Sequence, residues 1–171
     1  MSKIKLQKYL ANFSKEEIIE IILNLYDARA EAKDYLELFL NPNEQKRMDK
    51  VKSIIYKEFF KTRGYPRTRI TVCRKAIKDF ISLGASHEAQ AEVIFFYFDL
   101  VIQYLQENHF IKPTHIKALE IYLNDAQNII TTYRLQDRYA QRARKNLEYL
   151  NKSFPAFHEL LAPVCEEIIT N

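Results

Sequence analysis

The stretch Ser86–Asn108 constrains the fold more than any other part of the chain. Between Val93 and Leu105 only Asp99 and Gln103 are polar, so the run lacks the alternation of a half-buried strand. It is also too short to cross a bilayer, which requires about 20 apolar residues. Because a helix that is apolar on nearly every side is normally buried on nearly every side, we predict that this stretch is the central helix of a soluble all-α domain.

The residue composition supports the same fold class. Leu, Ile, Lys, Glu and Ala dominate the 171 residues, and only two glycines are present. So few glycines argue against tight hairpins and phosphate-binding loops, which need positive φ. A chain of this length buries roughly 70% of its unfolded surface and needs no metal or disulfide to fold. We predict a single domain over residues 1–171, or two small subdomains that share a core.

Capping signals and apolar spacing divide the chain into eight or nine helices, and no segment reads convincingly as a strand. The predicted helices span 3–11, 14–40, 44–62, 69–83, 86–108, 114–133, 135–150 and 156–169, and the second of them is either bent near 27–32 or continuous. Ser14 followed by Glu17 is the sequence of a capping box, and Gly64 and Gly84 suit helix C-termini. We expect Pro163 to kink or split the last helix.

The spacing of the helix pairs indicates how they are arranged. Pairs begin near Asn43, Ser86 and Gln136. The spacing between these starts is close to the ~40–47-residue period of two-helix solenoid repeats, although the pairs share no residue-level similarity. We predict an irregular multi-helix bundle or stacked helical hairpins, with an α-solenoid of HEAT-like pairs as the alternative.

The two cysteines, Cys73 and Cys165, lie far apart in the sequence. The first residues, MSKIKLQKYL, lack the apolar core of a signal peptide. We therefore expect a cytoplasmic chain whose thiols are free and pack as small hydrophobic groups.

Three short motifs resemble a family of bacterial all-helical proteins that is classified only as a domain of unknown function. They are LYD (Leu25–Asp27), LFLNPNE (Leu38–Glu44) and KEFF (Lys57–Phe60). The motifs are helix ends and core positions, not a catalytic signature. The resemblance implies an α-helical fold and a bacterial, cytoplasmic setting, and it implies no activity and no functional residue.

The strongest local anomaly is the segment 61–78, KTRGYPRTRITVCRKAIK, with seven basic residues and no acid. Arg67 and Arg69 lie at or before a predicted helix N-terminus, where a cation opposes the helix dipole. A bound anion would explain that placement. The alternative is a solvated loop that balances acids elsewhere, since residues 14–44 carry eight acids against three bases.

A second basic stripe follows the 135–150 helix, with Arg134, Arg138, Arg142 and Lys145 on one side. A solvated helix face explains this stripe without any ligand, and an anion-binding surface is the alternative. The predicted anion-binding residues are Arg63, Arg67, Arg69, Arg74, Lys75, Lys78, Arg134, Arg138 and Arg142. The net charge of +4 is modest for a dedicated nucleic-acid binder.

The sequence offers little evidence for a catalytic or metal-binding site. No histidine pair is spaced i, i+4, and HExxH, Glu-x-x-His and G-x-S-x-G are all missing, so we predict no metal and no cofactor. We expect Asp99 to lie at an exposed helix edge or to pair with a neighbouring Arg or Lys. The alternative function is a small enzyme with a cleft near Asp99 and convergent histidines and arginines.

The function that the sequence favours is a non-enzymatic interaction module whose basic segment meets an anionic partner, either nucleic acid or an acidic protein. Twenty-two Phe and Tyr residues, including the cluster 95–98 of the central run, also favour a homodimer unless surrounding helices bury that cluster. No membrane partner is expected.

Overall fold

Nine α-helices make up nearly all of the described chain. The computed structural model describes residues 2–40, 43–60 and 64–170, and at residues 34, 38 and 39 the backbone alone. The helices are α1 (Lys3–Leu10), α2 (Lys15–Ala28), α3 (Ala30–Leu40), α4 (Glu44–Phe59), α5 (Ile70–Ser82), α6 (His87–Asn108), α7 (Pro113–Tyr133), α8 (Gln136–Ser153) and α9 (Pro155–Thr170). These residues contain no strand, so the predicted all-α fold is confirmed. None of the described helices is both long and apolar enough to span a membrane.

The chain divides into two compact units, Met1–Asn43 with α1–α3 and Glu44–Asn171 with α4–α9. The prediction of one domain over residues 1–171 stays a prediction. The predicted helix stop at Asn41 and Pro42 lies outside the described residues.

Serine caps set the helix starts of the first unit. The Ser2 hydroxyl accepts from the Lys5 N–H, and Ser14 and Glu17 form the predicted capping box, with the Ser14 N–H donating to the Glu17 carboxylate at 2.7 Å. The extended backbone of Arg29 (φ −139°) separates α2 from α3, where the sequence left a bend and a continuous helix open. No side chain of α1 or α2 is buried.

The second unit is a stack of three helical hairpins, α4–α5, α6–α7 and α8–α9. Within each hairpin the two helices pack against one another. The first helices of the hairpins meet in turn, since α4 and α8 both pack on α6, and α5 and α9 both pack on α7. This order matches the predicted arrangement of stacked hairpins.

The predicted central helix occupies the middle of this stack, in contact with α4, α5, α7 and α8. Eleven of its side chains are buried, and Phe95, Tyr97 and Phe98 are fully enclosed. Neighbouring helices therefore bury most of the aromatic cluster that the sequence offered as an alternative dimer face, although Phe96 stays half-buried.

Pro163 was expected to kink or split the last helix. The split is wrong, because α9 runs unbroken from Pro155 to Thr170, and the kink stays a prediction. Proline in a helix interior costs about 3 kcal/mol. The side chains on both sides of it, Leu161, Ala162, Val164 and Cys165, are buried in the core. Their burial offsets the cost of the proline.

Both cysteines are free and fully buried, Cys73 on α5 and Cys165 on α9. Burial raises the pKa of each thiol to about 12, so both stay protonated and unreactive at neutral pH. The prediction of free thiols packed as hydrophobic groups is confirmed.

Candidate anion-binding surface

Helix α5 presents three cations on one side, and we call Arg74, Lys75 and Lys78 the basic face. All three side chains are exposed. At 100° per residue they cover about 100° of the helix circumference. Among the described residues, no acidic group lies within ion-pair distance of them. Arg67, in the connector before α5, is also exposed, whereas Arg63 lies outside the described residues.

Arg69 differs from the basic face because an internal carboxylate already binds it. Its Nε and Nη2 donate to the two oxygens of Glu58 at 3.0 and 2.7 Å, and its backbone N–H donates to the same carboxylate at 3.1 Å. Glu58 is buried on α4. The sequence suggested that an arginine at this helix start calls for an external anion, but the Glu58 side chain supplies that anion from within the fold.

A buried hydrogen-bond chain fixes the connector that carries Arg67 and Arg69. The carbonyl oxygen of Thr68 can only accept, so His115 Nε2 must donate to it, at 2.8 Å. His115 Nδ1 is then the acceptor for the Tyr97 hydroxyl at 2.6 Å. Burial lowers the pKa of His115, which keeps the ring neutral.

Thr68 itself adopts a positive φ of 44°, which is strained for a β-branched residue. Its N–H donates to the Glu58 carbonyl at 2.9 Å while its own carbonyl accepts from His115. These two bonds hold the strained residue in place, and they set where Arg67 and the start of α5 lie.

A cleft of about 430 Å³ lies between α4 and α5 beside the basic face. It is lined by Ile54, Thr71, Val72, Lys75, Ala76 and Asp79. Most of the exposed lining is apolar, and Lys75 belongs both to the cleft and to the basic face. A partner that reaches the basic face therefore also meets an apolar depression.

The second basic stripe is built differently, because Arg142 is bound to acids of the central helix. Arg142 donates to Asp99 (Nε, 3.0 Å) and to Glu92 (2.8 Å), and Asn146 donates to the other Asp99 oxygen at 2.7 Å. Lys52 of α4 also binds Glu92, at 2.7 Å. This network joins α4, α6 and α8, and it confirms the expectation that Asp99 pairs with a neighbouring arginine.

The charges around Glu92 affect the pKa of its carboxyl more than its burial does. Burial raises the pKa of the Glu92 carboxyl, but the Lys52 hydrogen bond and the Arg142 charge lower it further, so the net shift is downward. Arg138 reaches the same carboxylate at 4.0 Å. Arg134 ends α7 in the left-handed region (φ 55°) and is exposed.

The two basic stripes belong to different hairpins. Helix α5 packs on α4, α6 and α7, whereas α8 packs on α6 and α9. The structure brings Arg138 and Arg142 together at Glu92. Binding of an external anion by any of the nine predicted residues stays a prediction.

The histidines occupy separate places in the structure. His115 is buried, the His87 ring stacks on Tyr133 at 4.2 Å, and His109 ends α6 in the left-handed region. Over the described part of the chain, no three His, Cys, Asp or Glu side chains lie together as metal ligands would.

A family model identifies the group to which this chain is related. The model, described as "Family of unknown function (DUF6155)", matches residues 1–154. The chain belongs to this family. The resemblance seen in LYD, LFLNPNE and KEFF is thereby confirmed, and the match ends at Phe154, directly before α9. No curated protein and no solved structure matches the chain.

Sequence reasoning missed Glu58 and His115, the two residues that anchor the basic connector. Glu58 lies three residues after Ile55 and next to Phe59, both fully buried, so its position on the inner face of α4 was readable from the spacing. His115 carried no comparable signal, because its partners Thr68 and Tyr97 are 47 and 18 residues away.

Proposed function

We propose that this chain is a helical interaction module whose basic face on α5 binds an acidic segment of a partner protein. The observation that carries this function is the contrast among the cations. Arg69 and Arg142 are bound to internal carboxylates, whereas Arg74, Lys75 and Lys78 share an exposed side without an acid in ion-pair distance among the described residues.

The cleft beside the basic face supports a protein partner over nucleic acid. Ile54, Val72 and Ala76 give the cleft an apolar floor, which an amphipathic helix with acidic and apolar sides would fill. Nucleic-acid binding rests mainly on many phosphate contacts, whereas in the described part of the segment 61–78 the basic face and Arg67 offer four exposed cations without an internal carboxylate.

The enzyme alternative near Asp99 gains no support from the site geometry. Both Asp99 oxygens accept hydrogen bonds, from Arg142 and from Asn146. A carboxylate held in this way stabilises the α6–α8 contact.

Binding of fluorescent probes to the full chain tests the proposal. An acidic amphipathic peptide should bind in low salt, and the variant Arg74→Ala/Lys75→Ala/Lys78→Ala should weaken it by about 10- to 100-fold, since each exposed ion pair contributes up to about 1 kcal/mol. Binding should also fall as salt rises.

The matched control removes one arginine and two lysines elsewhere, in Lys117→Ala/Arg144→Ala/Lys152→Ala, all exposed. It should bind the peptide as the unmodified chain does. Equal losses of peptide affinity in both triple variants would show that binding depends on net charge and not on the basic face. If a single- or double-stranded oligonucleotide binds more tightly than the peptide, the partner is nucleic acid and the proposed protein partner is wrong.

A further inference from the structure

In the first unit, α2 is apolar over an unusually wide arc. Half of its 14 residues are large and apolar, namely Ile18, Ile19, Ile21, Ile22, Leu23, Leu25 and Tyr26. At 100° per residue they spread over about 200° of the circumference. A helix at the surface of a globular protein typically has a stripe of about 100°, so α2 has apolar surface for more than one neighbour.

Helix α3 packs against α2 but leaves much of this arc uncovered. The Tyr26 hydroxyl donates to Glu37 of α3 at 2.8 Å, and Tyr26 and Ile18 are half-buried. Five apolar side chains of α2 remain exposed by 39 to 57%: Ile19, Ile21, Ile22, Leu23 and Leu25. Ile22 lies between the half-buried Ile18 and Tyr26, and the other four occupy the two flanks of the arc.

The charges of the first unit are separated between its helices. Helix α1 carries Lys3, Lys5 and Lys8 and no acid, and it exposes Ile4, Leu6 and Tyr9. Helix α2 carries Lys15 against Glu16, Glu17, Glu20 and Asp27. One helix is therefore apolar and positive, and the other is apolar and negative, so the unit carries its own electrostatic complement.

That self-complementarity favours a second copy of the chain over other occupants. In a two-fold interface each copy uses the same surfaces, so the basic α1 of one copy can face the acidic α2 of the other, and the reverse. A helix that lies on a membrane instead presents Lys and Arg on its polar side. Helix α1 has this pattern, but α2, which is longer and exposes more apolar side chains, has an acidic polar strip.

We propose that two copies of this chain pair through their first units, with α1 of each copy against α2 of the other. The eight exposed apolar side chains of α1 and α2 form the centre of the interface, and the opposite charges form its rim. The proposal is independent of the basic face on α5.

Sedimentation velocity of the full chain between about 1 and 100 μM tests the pairing, because this range brackets micromolar dissociation constants. The unmodified chain should be dimeric at the upper end. Ile19→Glu/Leu23→Glu should raise the dissociation constant by at least about tenfold. Both residues are exposed in the single chain, so far-UV circular dichroism should show that the helices persist. The matched control Ile121→Glu, on an exposed isoleucine of α7, should leave the dimer intact.

Charge reversal provides the second test. Lys5→Glu/Lys8→Glu and Glu16→Lys/Glu20→Lys should each weaken the dimer, and the chain with all four changes should regain it. The proposal is overturned by a monomer at every concentration, by a dimer that tolerates Ile19→Glu/Leu23→Glu, or by a fourfold variant that remains as weak as its parents.

Discussion

Helices α2 and α6 are both rich in apolar residues, yet only α6 is enclosed. Eleven side chains of α6 are buried, and none of α2 is. The difference lies in their neighbours, because α6 is packed by α4, α5, α7 and α8, whereas α3 is the helix packed on α2 within its unit. Apolar content thus predicts that a helix needs partners, and the topology of the chain decides whether it has them.

The most direct test of this difference in packing is to remove one large side chain from each helix. Phe98→Ala should lower the free energy of unfolding by about 3–5 kcal/mol, because it leaves a cavity in a packed core. Leu23→Ala, at a side chain 57% exposed, should change it by no more than about 0.5 kcal/mol. Guanidinium denaturation at a concentration where the chain is monomeric measures both. Similar losses would show that α2 is as well packed as α6.

The same contrast shows how far sequence reasoning reached. The run 93–105 predicted an enclosed helix, because its apolar residues cover nearly every side and leave only the narrow edge of Asp99 and Gln103 to face water. The capping box at Ser14 was equally readable, because the groups involved lie within three residues of each other. Features that depend on local spacing were therefore predictable for the fold.

The candidate site was less predictable, because its ordering contacts are long-range. The sequence grouped Arg69 with Arg74 as equivalent cations, yet Arg69 is bound to Glu58, 11 residues away, and Arg142 to Asp99, 43 residues away. Periodicity gives the face on which a charge lies, but it does not give which opposite charge lies across from it. For the same reason the sequence could not show that α9 continues through Pro163, whose neighbours are buried by other helices.

A second test compares a buried acid of the second unit, Glu58, with an exposed acid of the first unit, Glu20. Glu58→Ala should lower the free energy of unfolding by about 2 kcal/mol, because it leaves Arg69 and the start of α5 without their acceptor. A fully buried pair would lose more, but the Arg69 side chain is 49% exposed. Glu20→Ala, at an exposed acid in the middle of α2, should change it by no more than about 0.5 kcal/mol.

Chemical denaturation of both variants at pH 7 measures this difference. Glu58→Gln should lie between Glu58→Ala and the unmodified chain, since the amide keeps one acceptor for Arg69. A neutral effect of Glu58→Ala would mean that the Arg69 contact contributes nothing to the fold, and that Arg69 is available to an external anion after all.

The smallest expected effect is a pH dependence that arises from His115 in the second unit. Burial lowers its pKa below the usual value of about 6.5, so the unfolded chain binds a proton that the folded chain resists. Stability should therefore fall as pH drops below about 6.5, and the loss should level off below the lowered pKa. The slope contributed by this one group cannot exceed about 1.4 kcal/mol per pH unit. Carboxylates with lowered pKa values, such as Glu92, act only at lower pH.

His115→Gln isolates this contribution, because the amide can still donate to Thr68 but does not titrate. The variant should lose the slope that begins below about pH 6.5, whatever its absolute stability. The control His109→Asn, at an exposed residue in the left-handed region, should keep the slope. A slope that survives His115→Gln would assign the acid sensitivity to another group. If the slope disappears in His115→Gln, the neutral His115 ring contributes to the stability of the second unit. The hydrogen bond of that ring to the strained Thr68, which positions the start of α5, is then part of the same contribution.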